Sequence, residues 1–171
     1  MDGLQRRLHI IELLHTQVAP ISGTELAKKF CVSRQVIVQD IALLRAENRN
    51  ILSTNKGYIL FQAQSKDRSY REVLFVRHTK EQILDEMSSI VELGGRMLDV
   101  SIDHDIYGQI RCDLVINNLE DAKEFVQKAE KSSSKPLCAL TEDYHYHTIA
   151  APSQKAMELI KSDLSKKGYL Q

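Results

Sequence analysis

The segment from Ser33 to Asn48, SRQVIVQDIALLRAEN, constrains this chain more than any other stretch. Ile37, Ile41 and Leu44 recur at i, i+4 and i+7, so they stack on one side of a 3.6-period helix. Gln35 and Gln39 fall on the other side, roughly 160–200° from Ile37. An apolar stripe then holds the helix down while an amide-rich face points outward. Ser33 is a good N-cap and puts Arg34 and Gln35 in the first turn. That turn is the part of a recognition helix that reaches base edges. An ordinary amphipathic helix with a solvated polar face meets the same description, so the flanks decide between them.

The flanks are ordered. Leu4 to Gln17 reads as a first helix, with Leu4, Leu8 and Ile11 on one face. Ile10, Leu13 and Leu14 make it apolar nearly all round, which predicts packing on more than one side. Pro20 breaks the chain. Ser22-Gly23-Thr24-Glu25 has capping-box spacing, and a short helix follows from Glu25 to Phe30 with Leu26 and Ala27 inward. Cys31 stands in the tight turn where many such motifs carry Gly. Beyond the third helix, Ile51–Thr54 and Tyr58–Phe61 are β-prone runs around Asn55-Lys56-Gly57, a hairpin signal. Three helices and a hairpin make a winged helix-turn-helix, with Lys56 at the wing tip where a phosphate or the minor groove would meet it.

Charge supports this division. The chain is formally neutral, but residues 1–62 hold 8 Lys/Arg against 5 Asp/Glu, a net +3. Residues 63–171 hold 15 against 18, a net −3. The basic front suits a polyanion. Cys31, Cys112 and Cys138 are odd in number and far apart, which argues against a disulfide framework and a close-paired thiolate zinc site. No apolar run approaches about 18 residues and no signal peptide is visible, so a soluble, cytoplasmic protein is expected.

The segment ISGTELAKKFCVSRQVIVQDIALLR resembles the small winged-helix domain at the front of many bacterial repressors. The resemblance implies double-stranded operator DNA as partner. It makes Arg34, Gln35 and Gln39 groove contacts, and Thr24, Ser33 and Lys56 backbone contacts.

Residues 63–69 are polar and aperiodic, and read as a linker between a domain of residues 1–62 and a second of residues 70–171. Tyr70–Arg77 reads as a strand, Lys80–Leu93 as a helix, and Arg96–Asp103 and Gly108–Ile116 as an antiparallel pair. A helix from Leu119 to Ser132, capped by Asn118, comes next. Leu137–Thr141 and Tyr146–Ala150 read as strands, and Pro152 opens a last helix with Ala156, Leu159, Ile160 and Leu164 inward. This order predicts an α+β sandwich, with helices on one face of a mostly antiparallel sheet. No phosphate loop or nucleophile elbow is present, and Gly94-Gly95 ends a helix instead of opening one. The motifs therefore point away from an enzyme.

Five residues could carry chemistry: His78, Glu86, His104, His145 and His147. In a strand, His145 and His147 point to one face and present two imidazoles side by side. On the helix after His78, Ile83, Met87, Ile90 and Val91 form the buried stripe. Glu86 lies about 80° from its centre, at the border of the buried face. A carboxylate there needs a partner, either a Lys or Arg or a metal shared with the imidazoles. Eight residues of regular helix rise about 12 Å, so His78 and Glu86 can meet only if His78 turns back from outside the helix. His104, between Asp103 and Asp105, can donate to an anionic ligand or pair with its neighbours.

HTKEQILDE (78–86), DHDIYG (103–108) and HYHT (145–148), behind a winged helix, resemble the niacin-responsive transcriptional repressor family, whose effector domain is the 3H domain. The pattern departs at Asp105, where the family carries Pro. The resemblance implies a homodimeric repressor of niacin-uptake and NAD-synthesis genes with nicotinic acid as corepressor. It implies one divalent ion per chain, nickel or zinc, on His78, Glu86, His145 and His147. His104, with Tyr107, is placed in the effector pocket. Two other readings stay open: a regulator sensing a different small carboxylate, and a metal-dependent hydrolase with Glu86 as acid/base.

Overall fold

A computed structural model describes residues 2–47, 49–61 and 69–171 of the chain. Asn48, the expected end of the third helix, and residues 62–68, which cover nearly all of the expected linker, lie outside the described residues. The chain divides into two units, Met1–Lys66 and Asp67–Gln171.

The first unit contains α1 (Gly3–Thr16), α2 (Gly23–Phe30), α3 (Arg34–Ala46), β1 (Ile51–Thr54) and β2 (Gly57–Leu60). Asp2, Ser22 and Ser33 cap the three helices through their side chains, and Ser22 and Glu25 complete the reciprocal capping box. Cys31 adopts the left-handed conformation at φ 53°, so a cysteine does fill the glycine-like position. Ile10, Leu14, Leu26, Ile37, Ile41, Leu44 and Ile51 form the core. Leu4 and Leu8 are 61% and 56% exposed, which corrects the expectation that α1 packs on more than one side. Gly57 is required in the wing: at φ +136° a Cβ would sit 2.3 Å from the Ile21 carbonyl oxygen.

The second unit carries β3 (Tyr70–Arg77), α4 (Ile83–Glu92), β4 (Arg96–His104), β5 (Gly108–Ile116), α5 (Leu119–Lys131), β6 (Tyr144–Ala151) and α6 (Gln154–Lys166). The four strands pair antiparallel in the order β5-β4-β6-β3. The three helices bury Ile83, Met87, Ile90, Ala122, Met157, Ile160 and Leu164 against Leu74, Val76, Met97, Leu114, Ile116 and Ile149 of the sheet. Two expectations fail. Leu137–Leu140 is a 3-10 turn, not a strand, because Pro136 sets its entry and the Ala139 and Thr141 amides bond back to Pro136 and Cys138. Leu159 is 51% exposed, and Met157 takes the inward place on α6. No helix among the described residues is long and apolar enough to cross a membrane.

Candidate functional site

Register builds the site. β3 pairs with β6 so that Leu74 faces His147, Phe75 faces Tyr146 and Val76 faces His145. Strand alternation then sends both imidazoles to the helix-covered side and Tyr144 and Tyr146 to the other. His78 follows β3 directly. Thr79 and Gln82 form a capping box around a 3-10 turn, Lys80–Gln82, which folds the chain back before α4. His78 thereby meets Glu86: Nε2 to Oε2 is 2.9 Å. His147 Nε2 is 3.5 Å from the same oxygen.

The four side chains are 1–5% exposed. Their nearest ligand atoms all lie within 4.8 Å of one another. The imidazole planes stand nearly perpendicular, at 88° between His78 and His145 and 86° between His145 and His147.

Each ring is oriented by a backbone carbonyl. His78 Nδ1 lies 2.9 Å from Thr79 O, His145 Nδ1 2.8 Å from Asp143 O, and His147 Nδ1 2.7 Å from Asp99 O. A carbonyl only accepts, so Nδ1 carries the proton in all three, and a neutral ring leaves Nε2 as a bare lone pair. Those lone pairs share a dry space with a carboxylate. His78 Nε2 and both Glu86 oxygens have no aligned hydrogen-bond partner, although the separations are those of an ion pair. Two acceptors at 2.9 Å cohere only with a proton or a cation between them.

The protonation tendencies agree. Burial alone would raise the Glu86 carboxyl, but His147 and His78 hold it well below the usual carboxylate range. Burial opposes charge on His78, yet the adjacent Glu86 raises it. Burial and the charge of His147 push His145 down to about 4, so that ring is neutral at pH 7. Three imidazole nitrogens and one carboxylate could hold a divalent transition-metal ion, and a backbone carbonyl on the far nitrogen of every imidazole is the usual support for one.

Asp99 belongs to this support and was not foreseen. It is 1% exposed. Its carbonyl accepts from His147 Nδ1, its Oδ1 accepts from the Thr148 amide at 2.9 Å, and its Oδ2 lies 2.9 Å from Arg111 Nη2. The strand periods around it are interrupted by a register shift between Met97 and Asp99, which hides its inward carbonyl from a simple alternation count.

His104 and Tyr107 lie elsewhere, at the β4–β5 turn, with Tyr107 76% exposed. His104 Nδ1 accepts from the Ile106 and Tyr107 amides at 3.2 and 3.4 Å. Neither residue lines the cavity above the cluster.

In the first unit, Arg34, Gln35 and Gln39 are exposed on α3, opposite the buried Ile37, Ile41 and Leu44. Thr24 is exposed on α2, Ser33 is occupied as N-cap, and Lys56 sits in the two-residue turn of the wing. One buried charge was missed: Asp40, 2% exposed, which ties α3 to Arg6 at 2.6 Å and Arg7 at 3.5 Å on α1. An acidic residue three positions after Ile37, within the apolar stripe, was the available signal.

Three helices with a β-hairpin, ahead of an α+β unit with a buried imidazole–carboxylate cluster, define the class: a DNA-binding regulator with a second, α+β domain. Residues 6–59 match the HTH domain and residues 71–171 the 3H domain. The probable transcription repressor NiaR of Thermotoga maritima is 39% identical over 97% of this chain and 93% of its own length. The transcription repressor NadR of Bacillus subtilis is 33% identical over 98% and 94%. The chain belongs to this family of HTH–3H transcription repressors, the one its sequence resembles, and is a regulator, not an enzyme.

Proposed function

We propose that this repressor silences genes of niacin uptake and NAD synthesis when nicotinic acid binds, and that the acid is sensed at a nickel or zinc ion on His78, Glu86, His145 and His147. The observation that carries the reading is the convergence of three carbonyl-anchored imidazoles on one buried carboxylate. The ion, when bound, supplies the positive charge that an otherwise anionic pocket needs to attract a carboxylate. The chain's own residues keep that pocket dry and, through a backbone carbonyl on each Nδ1, turn every Nε2 toward Glu86.

On the DNA side, Arg34, Gln35 and Gln39 read the groove while Thr24, Ser33 and Lys56 hold the backbone. A homodimer presents two such helices to paired half-sites about one helical turn, or a multiple, apart. The acid acts as corepressor only if it binds the DNA-competent arrangement more tightly than the other. Titration of operator fragments with nicotinic acid, with and without a chelator, tests this. Affinity should rise with the acid and lose that response with the chelator. Unchanged affinity under every condition removes the corepressor role.

A further inference from the structure

The residues after α6 reach the cluster from the outer edge of the sheet. Lys167 caps the helix, and Gly168 at φ 75° turns the backbone left-handed. The Gly168 amide donates to Ser165 O at 3.0 Å and the Tyr169 amide to Leu164 O at 2.9 Å, the paired bonds of a Schellman stop. Residues 169–171 then run antiparallel along β3, an end strand of the sheet. The Arg77 amide donates to Tyr169 O at 2.8 Å, the Gln171 amide donates to Phe75 O at 3.0 Å, and Val76 pairs with Leu170.

This short strap holds both ends of the turn that carries His78 and Glu86. At one end it fixes Arg77, the residue before His78, and the Tyr169 ring stands edge-on to the His78 ring with centroids 5.8 Å apart at 72°. At the other end the Tyr169 hydroxyl donates to Asp85 Oδ2 at 2.8 Å. Lys167 Nζ donates to Asp85 Oδ1 at 3.0 Å and to Ser89 Oγ at 2.8 Å. Asp85 immediately precedes Glu86. Tyr169 is 6% exposed, so Asp85 takes the place of water for a hydroxyl that needs a partner.

The turn needs such a brace. Eight positions of regular helix would part His78 and Glu86 by about 12 Å, yet their ligand atoms meet at 2.9 Å. The fold-back that closes this gap, Thr79 to Gln82, is exposed throughout and packs into no core. Its own capping box sets its shape but does not tie it to the sheet. The strap does, because it is bonded to β3 on one side and to α4 on the other.

We infer that Tyr169 and Asp85 are positioning residues for the cluster: their bond keeps His78 and Glu86 at a separation that one ion can bridge. The inference rests on the reading that the cluster holds a divalent ion, and it adds no ligand to that ion.

Zinc and cobalt(II) binding to the full chain tests it. Affinity is read by competition against a chromophoric chelator under conditions where each variant is folded, and the cobalt absorption bands report the geometry of the site. Tyr169→Phe keeps the ring on His78 and loses the bond to Asp85. It should weaken both ions about tenfold, as loss of an outer partner of a metal ligand does, and change the cobalt bands. Asp85→Ala releases Tyr169 and Lys167 together and should weaken them further. Asp85→Asn keeps an oxygen for the hydroxyl and should recover part of the loss. Tyr169→Phe that is less stable, yet binds both ions as the wild type does with unchanged bands, overturns the inference and leaves the metal reading standing. If Tyr169→Phe does not fold, the two variants of Asp85, whose side chain is 52% exposed, decide: wild-type affinity and bands in both overturn it equally. A wild-type chain that takes up neither ion removes the metal reading, and the inference with it.

Discussion

The two units bury different things. Among the described residues, the helix-turn-helix unit keeps its core apolar apart from one carboxylate, Asp40, and exposes Arg34, Gln35 and Gln39. The 3H unit does the reverse: His78, Glu86, Asp99, His145 and His147 lie within the fold, beside Met87 and Leu114. A surface that meets a polyanion can stay solvated until it is needed. A sensor for a small acid has to exclude water first, because a charge is felt strongly only in a low-dielectric space. The comparison teaches that a substitution in the first unit can separate binding from stability, and that one in the second cannot.

The largest test strikes the exception. Asp40→Ala removes the charge-assisted bonds to Arg6 and Arg7, both of which reach solvent, and should destabilise the helix-turn-helix unit by about 1.5–3 kcal/mol, read from chemical denaturation. If it costs under 1 kcal/mol, Asp40 is not a buried strut and the contrast weakens. Removing metal comes next. With the ion at about 100 times its Kd, a chelator should withdraw ~2.7 kcal/mol from the 3H unit and nothing from the first, seen as one of two calorimetric transitions moving. Movement of both transitions would mean the units do not respond separately.

Gln39→Ala should weaken operator binding by about 1–3 kcal/mol while the melting temperature stays put. A fall in stability of the same size would place Gln39 in packing instead of recognition. The smallest effect is Ser22→Ala, which removes half of the capping box and should cost ~1 kcal/mol in the first unit alone, leaving metal affinity untouched.

The same contrast explains what could be read from sequence. Caps, turns and stripes are local, so Ser22, Ser33, the wing turn and the bounds of β3 and β5 all stand where spacing puts them. His145 and His147 were legible because strand alternation is local too. Asp99 was not, since its role depends on a neighbouring strand and a register shift. Leu137–Leu140 misled because a short apolar run fits a strand or a tight helical turn equally well. Leu4, Leu8 and Leu159 show the limit of composition: an apolar side chain can count toward a stripe and still face water. His104 was a candidate from its Asp103 and Asp105 neighbours, but its place in an effector pocket, with Tyr107, came from resemblance, and nothing local tied either to the imidazoles.

One strand joins these themes. Along β6 the imidazoles alternate with Tyr144 and Tyr146, whose rings stack on Phe75 at 5.6 and 4.8 Å across the opposite side. Slipping that strand by a single residue would turn the cluster inside out, with tyrosines at the dry centre and histidines on the opposite face. An inserted codon anywhere between Tyr144 and Ala151 is thus a different kind of lesion from a point change. It preserves every side chain and takes the cluster apart.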